Sequence, residues 1–225
     1  GDDARRAVRL GEVVQRPHRV QDDLVVLILR QVAHGDGAPE LSADWYKSHG
    51  YHFLVLSDHN LLLEGEKWKR IGAAKGDMKA ATLQPLIEKF GKDAVVLRDR
   101  QGVIEMRLKT LAELRGAFEE KDRFLLIPGE EISDEFQKLP IHHNALNLAS
   151  HISPVGGTSV RDVMARTVAA VEEEGRRSGR PVLAHLNHPN FHWAVTAEDL
   201  AAVPGERYFE VYNGHRGVRN HGDAQ

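Results

Sequence analysis

Short apolar segments alternate with amphipathic ones along most of this chain, and this alternation constrains its fold more than any other feature. Val160, Val163 and Val168, for example, recur at the spacing of one helix face. Predicted strands cover residues 24–29, 51–56, 94–97, 103–108, 124–127, 141–148, 181–186 and 208–212. Predicted helices cover residues 39–48, 83–90, 110–120, 160–178 and 196–203. Strands that alternate with helices are typical of βα units, so an α/β protein with a mostly parallel sheet is predicted.

Composition excludes several classes of function. The net charge of −3, without a long basic block, argues against a nucleic-acid partner. No apolar run approaches the roughly 18 residues that a membrane helix needs, so a soluble protein without a membrane partner is expected. Whether it is cytoplasmic or exported stays open, as does its oligomeric state. The absence of cysteine excludes disulfides, thiolate zinc sites and cysteine nucleophiles.

Residues of metal-ligand type follow several predicted strands. Thirteen histidines without any cysteine direct a metal site toward imidazole and carboxylate ligands, which suit Zn, Mn or Fe. Because active sites of α/β proteins collect at the carboxyl ends of parallel strands, these residues are expected to converge there. One such histidine alone is more often structural, but four strand ends with the same chemistry favour a metal site. The residues are Asp58 and His59, Glu130 and Glu131, His142 to Asn144, His185 and His188, and Glu210 and Asn213.

Five motifs resemble, in order, those of the PHP (polymerase and histidinol phosphatase) domain family. They are LVLSDHN at residues 54–60, IPGEEIS at 127–133, PIHHNALNL at 140–148, AHLNHPNF at 184–191 and FEVYNG at 209–214. The resemblance runs from about residue 23 to residue 223. It implies a distorted (β/α)7 barrel that holds one to three divalent metals at its open end. It also implies hydrolysis, usually of small-molecule phosphoesters, by a metal-activated water.

The resemblance implies roles for individual residues. His59, His142 and His188 match histidine ligands of the family, and Glu131 matches an acidic ligand that bridges two metals. Asp36 stands where the family often places a further ligand.

Two further residues are the catalytic candidates. Asp58 is expected to orient His59 as a supporting partner. His185 is a reserve candidate because it lies three residues before His188.

The sequence departs from the family pattern at both ends. Leu29 and Gln31 stand where the family has a His-x-His pair, although His34 is a possible replacement from the same loop. No Asp-x-His on a late strand follows, so the barrel is expected to be incomplete at its C-terminus. Residues 1–22 are predicted to be an irregular lead-in and residues 23–225 the barrel domain.

The family ligands that this sequence lacks belong to some of the predicted metal positions and not to others. The position matching Glu131, His142 and His188 keeps all its ligands, so one divalent metal is expected, against up to three in an intact family member. Chemistry that needs two metals is expected to be slow. Two interpretations therefore stay open: a PHP-type phosphoesterase with a compromised cluster, or a degenerate domain that binds metal or ligand without catalysis. An amide-hydrolysing relative of the wider amidohydrolase group is less favoured by the motif order.

Overall fold

The structure is a computed structural model, and it describes residues 29–30, 37–74 and 76–220; for residues 29–30 it describes the backbone. These residues form a mixed α/β fold with two sheets. The larger sheet contains, in spatial order, β1 (Leu29–Arg30), β2 (Phe53–His59), β6 (Leu125–Phe136), β7 (Leu139–Leu146) and β8 (Leu183–Leu186). The smaller sheet contains β3 (Lys67–Arg70), β5 (Val103–Leu108) and β4 (Leu97–Arg100). The helices are α1 (Pro39–Ser48), α2 (Leu83–Phe90), α3 (Leu111–Phe118), α4 (Val160–Ser178) and α5 (Ala197–Ala202).

The larger sheet is mixed, so the prediction of a mostly parallel sheet is wrong. Strands β1, β2 and β6 are parallel neighbours, whereas β6, β7 and β8 pair antiparallel. The reversal occurs in a tight hairpin in which Phe136 pairs with Leu139 across Gln137 and Lys138. Both turn residues have left-handed backbones, with φ of 50° and 69°, as a two-residue type I′ turn requires. Strand β6 therefore continues well beyond the predicted end at residue 127.

The described strands do not close into a barrel. Strands β1 and β8 stand at the two ends of the five-stranded order. The predicted last strand, residues 208–212, is reduced to a single bridge between Leu186 and Phe209. Strand β3 was not predicted, and most of the predicted strand 24–29 lies outside the described residues, as does the lead-in of residues 1–22. The α/β class is thus confirmed in its coarse form.

The helices follow their sequence signals closely. Helices α1 and α2 occupy the predicted residues, and α3 begins at a capping box formed by Thr110 and Glu113. Helix α4 is capped by the side chain of Ser159 and ends at Gly179, whose φ of 69° few other residues adopt readily. No helix within the described ranges is both long and apolar enough to cross a membrane.

The two faces of the larger sheet have different surroundings. Leu54, Leu56 and Leu126 belong to a core cluster that includes residues of α1 and α3. Further along the sheet, Ile132 clusters with Val171 of α4. Because side chains alternate along a strand, the neighbours of these residues point to the opposite face. Glu130 and Glu131 therefore project to opposite sides of the sheet.

A buried carboxylate in the first turn of α1 gives a testable effect on stability. The Glu40 side chain is 1% exposed, neither carboxylate oxygen has a hydrogen bond, and Lys109 Nζ lies 3.9 Å from Oε1. Burial raises the pKa of Glu40 above its ordinary value of 4.5, although the backbone and Lys109 oppose the effect. The unfolded chain ionises at the ordinary value, so the protonated carboxyl favours folding at low pH and this contribution is lost as pH rises.

We therefore expect Glu40→Gln to stabilise the protein at pH 7 by on the order of 1 kcal/mol, because it removes a buried charge. Thermal unfolding of both proteins from pH 4 to pH 8 measures the effect. The difference in Tm should shrink toward pH 4, where the wild-type carboxyl is protonated. A difference that is the same at every pH would contradict the explanation.

Candidate metal centre

One buried carboxylate is surrounded by three imidazoles. Glu131 is fully buried, and its Oε2 lies 2.9 Å from Nδ1 of His59. Its Oε1 lies 2.9 Å from Nδ1 of His142 and 3.5 Å from Nε2 of His188. The rings of His142 and His188 are 5.1 Å apart, and those of His59 and His142 are 5.2 Å apart. The four residues that the sequence matched to metal ligands and that the structure describes are therefore brought together.

Each of the three histidines reaches Glu131 from a different part of the fold. His59 ends β2, where it is the parallel partner of Glu131. His142 pairs with Ser133 across the β6–β7 hairpin, which places it two positions along the same face as Glu131. His188 follows β8 with a strained φ of 27°, and its backbone N–H donates to Glu210 Oε2 at 2.8 Å.

The position of His142 corrects the expectation that every ligand lies at the carboxyl end of a parallel strand. His142 lies inside β7 (Leu139–Leu146), which runs antiparallel to its neighbours. The hairpin turn, not a common strand direction, places it at the site.

The electrostatics of the cluster favour an anionic carboxylate and neutral imidazole. Burial alone would raise the pKa of Glu131, but interactions with His142, His188 and His59 outweigh it and hold the pKa well below its ordinary value. Burial lowers the pKa of His142. An ionised carboxylate and a neutral imidazole are the forms that bind metal.

The arrangement fits a divalent cation. Ligand atoms of His59, Glu131 and His142 all lie within 4.8 Å of one another. Two atoms bound to one cation at about 2.1 Å lie roughly 3.0–3.4 Å apart, close to the separations found around Glu131. Oε2 of Glu131 is buried without a hydrogen bond of good geometry, although His59 Nδ1 is near it.

Sequence reasoning missed three polar residues that contact the cluster. The Ser133 hydroxyl contacts Nδ1 of His59 and donates to the Glu131 carbonyl at 3.1 Å. The Asn60 side-chain oxygen accepts from the Ser133 N–H at 2.9 Å. Asn187 Nδ2 donates to Glu131 Oε1 at 3.0 Å. Ser133 could have been found from the two-residue period of a strand, had β6 been predicted to continue past Glu131.

The two catalytic candidates lie away from the ligand atoms. Asp58 is buried and points to the opposite face of β2 from His59, and burial raises its pKa to about 6. No hydrogen bond joins Asp58 to His59 in the described part of the chain, so the predicted orienting contact is replaced by Ser133. His185 reaches Glu131 only through Asn187, whose Oδ1 is 3.2 Å from His185 Nδ1. Burial lowers the pKa of His185.

The remaining predicted ligand, Asp36, lies outside the described residues, as do Gln31 and His34. Among the described residues, His59, Glu131 and His142 are the group that could hold a metal ion. No protein-family model and no curated protein matches this chain.

Proposed function

We propose that this protein is a PHP-type, metal-dependent hydrolase of small-molecule phosphoesters. The observation that carries the proposal is the fully buried Glu131 carboxylate, whose two oxygens face different imidazoles. Oε2 faces His59, whereas Oε1 faces His142 and His188. In the PHP pattern the bridging acid is shared by two metals. The two oxygens of Glu131, which face different histidines, are arranged as such an acid requires.

Each of these side chains has a distinct task in this proposal. His142 and His188, with Oε1 of Glu131, hold one divalent cation of the Zn, Mn or Fe type. His59, with Asp36 as the resemblance implies, forms a weaker second position, and Oε2 of Glu131 faces His59. When bound, such a cation supplies Lewis-acid activation of water and of a phosphoryl oxygen. The ionised Glu131, which is fully buried, offsets part of the positive charge.

The larger sheet is proposed to be part of a distorted (β/α)7 barrel. The parallel β1–β2–β6 portion, covered by helices on one face, supports this arrangement. On the opposite face the site lies among Val55, Ser57 and Gly129, as expected for the interior of such a barrel. The same face reaches the surface at the start of β6, where Leu125 is 50% exposed.

One observation favours the second candidate function, a domain that binds a metal or ligand without catalysis. Leu29, at a position where the PHP pattern has histidine, pairs with Val55 of β2 in the same sheet as the site. Leucine cannot bind a metal, so a position that depends on it is lost. A chain with one cation lacks the second cation that would clamp the leaving oxygen.

The test is to incubate protein purified without chelator with Zn or Mn, and to measure metal per chain and hydrolysis of p-nitrophenyl phosphate. We expect about one equivalent of metal and slow hydrolysis that a chelator removes and added metal restores. One equivalent without hydrolysis would favour the binding domain instead. Absence of bound metal would overturn the hydrolase and would leave, of the second function, only the binding of a ligand other than metal.

A further inference from the structure

A buried amide, Asn187, lies between β8 and the ligand His188. Its side chain is almost wholly buried, at 2% exposure. Its backbone N–H donates to the carbonyl of His142 at 2.8 Å. The residue is therefore fixed to the strand that carries a second ligand.

The orientation of the Asn187 amide is determined by its neighbours. Its Oδ1 accepts from Asn144 Nδ2 at 2.6 Å and lies 3.2 Å from Nδ1 of His185. Because the Asn144 amide donates to the oxygen end, the NH2 end is directed toward Glu131, where it donates to Oε1 at 3.0 Å. A reversed amide would place an oxygen against a buried anion.

This contact limits the freedom of the carboxylate. The last torsion of a glutamate side chain is broad, so an unsupported carboxylate can rotate between its histidine neighbours. The Asn187 hydrogen bond holds Oε1 on the side of His142 and His188. Oε2 then remains on the side of His59, whose Nδ1 lies 2.9 Å away.

We propose that Asn187, held in place by Asn144, is a positioning residue that sets the orientation of the Glu131 carboxylate and thereby the cation affinity of the site. The inference rests on the proposed function, because it assumes that Glu131 binds a cation. Hydrogen-bonding partners of metal ligands commonly contribute 10–100-fold to affinity. Neither Asn187 nor Asn144 is expected to contact the cation itself.

The experiment is calorimetric titration of metal-free protein with Zn, together with thermal unfolding of the metal-free form. Asn187→Ala should weaken Zn binding by roughly 10–100-fold. Asn144→Ala should weaken it less, because Asn187 can still donate to Glu131. Asn190→Ala is the matched control: its amide donates to the carbonyl of Arg219, so Zn affinity should not change.

The outcomes separate the two proposals. Wild-type protein that binds Zn, with Asn187→Ala binding equally tightly, would overturn the role of Asn187 and leave the proposed function intact. Wild-type protein that binds no Zn would overturn the proposed function and this inference with it. A purely structural role would lower the Tm of the metal-free variants without the graded loss of affinity. If Asn187→Ala does not fold, the Asn144→Ala titration decides: wild-type affinity would overturn the inference.

Discussion

Glu131→Gln is expected to abolish cation binding, whereas Glu130→Gln, one residue earlier, should leave it unchanged. The two glutamates are adjacent and equally buried, but they face opposite sides of β6. Glu131 contacts His59, His142 and His188. Glu130 instead accepts hydrogen bonds from His151 and from the Ile152 N–H at 2.5 and 2.6 Å. Comparison of the two variants therefore distinguishes the effect of losing a metal ligand from the effect of losing a buried charge.

Two readouts test this pair of substitutions. Affinity for Zn or Mn should fall in Glu131→Gln by more than the roughly 10–100-fold typical of losing a supporting partner. Added metal should also raise the Tm of wild type and of Glu130→Gln but not that of Glu131→Gln, because only a form that binds the cation is stabilised by it. Equal metal content in all three proteins would show that the cation, if bound, lies elsewhere. Glu130→Gln should itself lower the Tm, since a charge-assisted hydrogen bond is lost.

Gly129→Ala is expected to cause a large loss of stability. A Cβ at this position would lie 2.7 Å from Cγ1 of Val55 and 2.9 Å from the carbonyl oxygen of Ala145. The second neighbour is backbone of the adjacent strand, so β6 and β7 must separate to admit the methyl group. Overpacking of this kind costs about 1–3 kcal/mol. Displacement of β6 would also move Glu131, so cation affinity should fall with stability.

Gly116→Ala in α3 is the matched control, because a Cβ there meets nothing within 4 Å. In a helix, alanine is favoured over glycine by about 1 kcal/mol, so this variant should be more stable than wild type. Urea unfolding with a common m-value gives both changes on one scale. A Gly129→Ala protein as stable as wild type would show that the strands around Val55 are packed less tightly than described.

Helix positions were readable from the sequence, whereas the direction of the central strands was not. Helices α1 to α4 carry local signals, such as the Ser159 cap and the Gly179 stop, that act within a few residues. The β6–β7 hairpin carries no such signal, because its turn is Gln137–Lys138 and not a sequence with Asn or Gly. Pro128 and Gly129 also resemble the end of a strand, yet both lie inside β6.

The sequence pointed to the four residues of the cluster but not to the polar residues that contact them. His59, Glu131, His142 and His188 stand out because imidazole and carboxylate are unusual at such positions. Asn187 and Ser133 do not, since buried amides and hydroxyls occur throughout proteins and their roles depend on what lies across the sheet. Asp58 lies on the opposite face of β2 from His59, because adjacent residues of a strand alternate in direction.

The β6–β7 hairpin also bears on the order in which the site assembles as the chain folds. Glu131 and His142 are only 11 residues apart, and hairpins form in about 1–10 μs. The contacts of Ser133 with His59 and of Asn187 with Glu131 span 74 and 56 residues. They close long loops, and such contacts form slowly. We therefore expect the Glu131–His142 pair to form before the other contacts of the site. A cation present during refolding would meet that pair first, and its affinity would rise as β2 and the segment after β8 dock.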